Sequence, residues 1–89
     1  MVTQDILIIN RLGLHARAAA QLVRMANEYP CDIRLSKDGQ NSDAKSVMEV
    51  LMLGATIGTS LKLSADGEKE YEALKSIAEL FAARFNELE

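Results

Sequence analysis

The stretch "ILIINRLGLHARAAAQLV", residues 6–23, changes character twice. "ILII" (6–9) is apolar and rich in β-branched isoleucine, which predicts a strand inside a sheet. Asn10 to Leu14 reads as a loop, where Gly13 can take backbone angles closed to other residues. From Ala16 the period becomes helical. Ala19, Leu22, Val23 and Ala26 form an apolar stripe, while Arg17, Gln21, Arg24 and Glu28 lie opposite. The only histidine of the chain, His15, stands at the junction of loop and helix.

Pro30 ends this helix. "DIRLS" (32–36) alternates, with Ile33 and Leu35 inward, and "KDGQ" (37–40) holds an Asp-Gly pair suited to a two-residue hairpin turn. A short polar strand follows near 40–43. "SVME" (46–49) matches a capping box, predicting a helix from Ser46 to Leu53 that Gly54 closes. "SLKLSAD" (60–66) alternates again, with Leu61, Leu63 and Ala65 on one face. After Gly67, Tyr71, Leu74, Ile77, Ala78, Phe81, Phe85 and Leu88 recur at helical spacing. The order β-α-β-β-α-β-α predicts an α+β, two-layer open-faced sandwich: a four-stranded, mostly antiparallel sheet with three helices on one face.

At 89 residues the chain is expected to be one domain, 1–89. Its 48% hydrophobic and 26% charged residues suit a globular protein and exclude a disordered one. The N-terminus has no basic segment leading into a long apolar run, and "DILII" and "VLMLGA" are too short to cross a bilayer. A cytoplasmic protein without membrane insertion is the expectation. Cys31 is the only cysteine, which excludes an internal disulfide and a thiolate zinc site. A small residue at a strand start is its expected role. The net charge of −3 argues against nucleic acid as a partner. The charge is uneven: residues 1–45 carry six basic and five acidic side chains, residues 46–89 four basic and eight acidic. An anion is better received by the first half.

That draws attention back to His15. The first N–H groups of a helix lack intrahelical partners and carry partial positive charge, so a phosphoryl group is well held there. Arg17 adds a guanidinium fork matched to phosphate oxygens. A neutral imidazole beside such a cradle is a nucleophile for a phosphoryl donor. A histidine that merely caps the helix or faces solvent has the same spacing, and the residues alone do not separate the two. With no second histidine, a metal site is not expected.

"GLHARAAAQLV" (13–23) resembles the active-site segment of the HPr family, the histidine-containing phosphocarriers of the bacterial sugar phosphotransferase system. "KSVMEVLMLGA" (45–55), the length and the element order also resemble that family, so the likeness spans essentially the whole chain. It implies that His15 is phosphorylated on Nδ1, with Arg17 beside it, and that Ser46 is the serine a dedicated HPr kinase/phosphorylase modifies in many members. It implies Enzyme I as donor, Enzyme IIA components as acceptors, no cofactor, and a monomeric covalent carrier rather than a stand-alone turnover enzyme. It also implies docking of partners over Ala20, Arg24, Val47, Met48, Leu51 and Met52. The nearly all-apolar "SVMEVLML" supports this, because a two-turn helix can bury only part of its circumference. One position departs. The family motif usually reads His-Ala-Arg-Pro, and here Ala18 replaces the proline, keeping helix propensity while losing the rigid first turn. A regulatory binding module of the same fold, acting through Ser46 and 47–52, is the second reading. A nitrogen-branch or dihydroxyacetone-kinase-linked carrier is the third.

Overall fold

A computed structural model describes residues 1–87. In chain order the elements are β1 (Val2–Leu7), α1 (Ala16–Ala26), β2 (Asp32–Lys37), β3 (Gln40–Asp43), α2 (Val47–Met52), β4 (Ser60–Asp66) and α3 (Glu70–Ala82), with a short turn at Arg84–Asn86. The strands form one sheet in the order β1-β4-β2-β3, and every pairing is antiparallel. This is the expected α+β open-faced sandwich.

The sheet is two-faced because its strands alternate. Ile33 and Leu35 of β2, Leu61, Leu63 and Ala65 of β4, and Ile6 of β1 are buried, whereas Asp5, Arg34 and Lys62 face solvent. Helices cover the apolar face. Ala18, Ala19, Leu22 and Ala26 of α1 are fully buried, and three of the four are alanines, whose short side chains let the helix lie close. The turn between β2 and β3 has Asp38 at φ 50° and Gly39 at φ 84°, the left-handed pair that a two-residue hairpin requires.

Three expectations need correction. The first strand is Val2–Leu7, not 6–9, and it lies at an edge of the sheet rather than inside it. Ile8 has left the strand ladder but stays buried and bonded, its N–H donating to Thr59 O at 2.9 Å and its carbonyl accepting from Gly58 N at 2.8 Å. The capping box is half-formed. Ser46 Oγ accepts from Glu49 N at 3.4 Å, but the Glu49 carboxylate accepts from Asp43 N, because Ser46 N–H already donates to Asp43 O. The last helix stops at Ala82. Its buried residues are Ala73, Ile77, Leu80 and Phe81, so Tyr71, 74% exposed, is off the core face, and Leu74 and Ala78 are only half-buried. Phe85 is buried from the turn beyond the helix; Leu88 lies outside the described residues.

Candidate functional site

His15 is the N-cap of α1. Its backbone is extended (φ −77°, ψ 179°), its carbonyl accepts the first helical bond from Ala19 N at 2.8 Å, and Nδ1 accepts from Arg17 N at 3.3 Å. The expected cap is present, and the ring nitrogen that caps the helix is the one that faces its positive end. The preceding loop is pinned from below. Leu14 N donates to Ala55 O at 3.0 Å, and Gly13 sits at φ 65° with so little room that a Cβ there would lie 2.6 Å from Ala55 O. Only glycine fits this crossing of the 10–14 loop over the segment that leads into β4.

The other ring nitrogen meets a residue that no motif announced. His15 Nε2 is hydrogen-bonded to the Glu87 carboxylate. The other oxygen of that carboxylate accepts from Asn10 Nδ2 at 2.9 Å, and the same amide group donates to Gly13 O at 2.8 Å. Asn10 is fully buried. With Nδ1 accepting and Nε2 facing a carboxylate, the neutral ring carries its proton on Nε2 and a lone pair on Nδ1. Burial pushes the Glu87 carboxyl up, but the hydrogen bonds from Asn10 and His15, with the charges of His15 and Arg17, outweigh it and hold the group below its usual range. Glu87 is ionised at neutral pH. The His15 side chain is 27% exposed and Glu87 only 14%, so a partner can reach the ring while the carboxylate is shielded.

These groups line an open cavity of about 840 Å³, with Leu12, Ala16, Arg17, Gln21, Phe85 and Asn86 completing its wall. Arg17 is exposed, its backbone on the helix start and its side chain toward the cavity that holds His15. Ala18 is buried in the first turn, and the helix forms without the proline. On the neighbouring helix, Ser46 is the N-cap of α2. Val47, Met48 and Met52 are 36%, 68% and 69% exposed, and Ala20 and Arg24 are exposed on α1, which packs against α2. Leu51 is the exception in the expected docking set: it is half-buried and packs against the core. No group of three or more potential metal-ligating side chains occurs among the described residues.

A family model described as "PTS HPr component phosphorylation site" matches residues 2–83. The chain is a member of the HPr family. It is 49% identical over 88 residues to the phosphocarrier protein HPr of Pseudomonas aeruginosa, covering 98% of each chain. The HPr-C-His crystal structure from Thermoanaerobacter tengcongensis superposes with a TM-score of 0.95 at 40% identity, covering 98% of both chains. An HPr dimer from the same organism matches at a TM-score of 0.79 and 41% identity, covering 92% of this chain and 94% of that one. The resemblance first seen in two short motifs thus extends over the whole HPr fold.

Proposed function

We propose that the whole chain is one phosphocarrier domain: His15 accepts a phosphoryl group on Nδ1 from phosphorylated Enzyme I and passes it to Enzyme IIA components. The observation that carries this reading is the state of the imidazole, with Nδ1 directed to the helix start, Nε2 on a carboxylate and the ring edge open to a partner. Arg17 and the unpaired N–H groups of the first turn stabilise the travelling charge. No cofactor enters the reaction, and its site is in the cytoplasm, where the phosphorylated donor is. In this reading the carrier acts as a monomer. Incubation with phosphoenolpyruvate and Enzyme I tests it: one acid-labile, base-stable phosphoryl group is expected, mapping to residue 15. Labelling elsewhere, or none, overturns the reading.

The charge of Arg17 can be separated from its place in the fold. Arg17→Glu is expected to slow transfer by roughly 10- to 1,000-fold, the scale on which a preorganised charge-stabilising group acts. Arg17 is exposed, so the unfolding midpoint should barely move. A large loss of stability with normal transfer would make Arg17 structural.

Docking of Enzyme I belongs, in this reading, to the adjoining surfaces of α1 and α2: Ala20 and Arg24 on one helix, Val47, Met48 and Met52 on the other, with Leu51 at the margin. Ser46 phosphorylation by an HPr kinase/phosphorylase would place about two negative charges beside that apolar surface. Ser46→Asp keeps an oxygen able to cap, so stability should stay within about 1 kcal/mol, while affinity for Enzyme I falls. Met48→Asp should weaken docking equally without touching the cap. Titration of both variants with Enzyme I, alongside thermal unfolding, decides it; unchanged affinity in both removes the α2 surface and the regulatory role of Ser46 together.

A further inference from the structure

The chain does not run off from α3 into solvent. Arg84, Phe85 and Asn86 have φ of 55°, 55° and 62°, three consecutive non-glycine residues in the left-handed region. Each such residue costs about 1–2 kcal/mol relative to a right-handed one. A turn of this kind persists only where its surroundings hold it. Two anchors are visible. Phe85 is 1% exposed and packs edge-on against Phe81, ring centroids 4.9 Å apart. Glu87, the next anchor, meets Asn10 and His15. The Asn10 side chain contributes only its N–H groups: its Oδ1 is buried with no partner among the described residues. Burying an unsatisfied carbonyl is itself unfavourable. The orientation follows from the neighbours, since Nδ2 faces one carboxylate and one carbonyl, and the reversed amide would set oxygen against both.

We propose that Glu87, held by Asn10 and the left-handed turn, is a positioning residue that keeps the His15 proton on Nε2 and so reserves Nδ1 for phosphorus. The inference rests on the phosphocarrier reading and deepens it. Left alone, a neutral imidazole divides itself between two tautomers, and the one protonated on Nδ1 has no lone pair to offer there. The Arg17 N–H, at 3.3 Å, is a long contact and selects weakly; a half-buried, ionised carboxylate accepting from Nε2–H selects strongly.

In the transfer step the Nδ1 lone pair forms the N–P bond as the donor's bond to phosphorus breaks, and the electron pair of that bond leaves with the donor atom. The ring keeps its Nε2 proton and acquires positive charge, which the Glu87 carboxylate faces across the hydrogen bond. No proton has to move. On onward transfer the N–P pair returns to Nδ1 and the ring is again neutral, with the proton still on Nε2. The arrangement is that of a histidine oriented and charge-compensated by a carboxylate on its far nitrogen.

The test uses the full-length chain with ¹⁵N-labelled histidine. Long-range proton–nitrogen correlation of the neutral ring should show a pyrrole-type Nε2 and a pyridine-type Nδ1 in the wild type. In Glu87→Ala the two shifts should move toward each other as both tautomers populate. Single-turnover phosphoryl acceptance from phosphorylated Enzyme I should fall about 10- to 100-fold, the scale on which groups that orient a working histidine act, while affinity for Enzyme I holds. Glu87→Asp should recover part of both effects. Unaltered ring shifts in Glu87→Ala, or altered shifts with an unaltered rate, overturn the proposal. The nitrogen shifts require no phosphoryl transfer, so failure of this idea is distinguishable from failure of the phosphocarrier reading, which would show as an unlabelled wild type.

Discussion

His15→Ala is expected to take up no phosphoryl group at all from Enzyme I and phosphoenolpyruvate, while folding as the wild type does. The loss is complete because a covalent carrier has no partial mechanism: without Nδ1 there is no bond for the group to occupy. The fold should tolerate the change. The ring is partly exposed, its cap contact to Arg17 N is long, and the backbone bond from Ala19 N to the residue 15 carbonyl survives substitution. Loss of a side-chain cap costs about 0.5–2 kcal/mol. Release of Glu87 adds to that but leaves Phe85 in the core. Mass spectrometry of the intact chain after incubation, with calorimetry on the same sample, reads both quantities. Residual labelling of the variant would place the acceptor on another residue.

The largest effect on stability is expected at Gly13. Alanine there must adopt φ 65° and must also bring a Cβ to 2.6 Å from Ala55 O and 2.9 Å from Thr56 Cα. Neither neighbour is the tip of a flexible side chain, and both belong to the backbone that receives Leu14 N. Left-handed strain and the forced backbone shift together should cost about 2–4 kcal/mol. Gly39→Ala is the control. Its φ is 84°, yet nothing lies within 4 Å of its added Cβ, so it should lose only the conformational part, about 1 kcal/mol. Urea unfolding of the two variants isolates the crossing of the loop over residues 55 and 56. Equal losses would mean that the contact yields freely. Because Gly13 O also accepts from Asn10, Gly13→Ala should slow phosphoryl transfer as well.

Where information is local, the sequence was legible. The Asp-Gly turn, the alternation of β2 and β4, the start of α1 at His15 and the exposed methionines of α2 all follow from neighbouring residues. β1 was misread for a physical reason: Thr3, Gln4 and Asp5 are exposed, so only Ile6 signals burial and the apolar run lies past the strand end. On α3, Tyr71 looked like core because an aromatic outweighs the small Ala73, which takes the buried place. The chain end was illegible altogether. Three left-handed residues without a glycine leave no mark in composition or period. A contact between positions 15 and 87 spans most of the chain, and no local pattern reports it.

The strand order β1-β4-β2-β3 also sets an order of events in time. The β2–β3 hairpin pairs near neighbours and can form as soon as its turn exists. Every other pairing needs β4: Val2 pairs with Ala65, and Asp32 with Asp66. During synthesis the sheet therefore stays split until residue 66 is free, and its two long-range seams close late, against the entropy of the intervening loops. The bonds linking Ile8 to Gly58 and Thr59, and Leu14 to Ala55, lie on the same side of that event. The loop that presents His15 is thus among the late parts of this fold to acquire its shape, and a nascent chain does not hold that loop in place until β4 has been made.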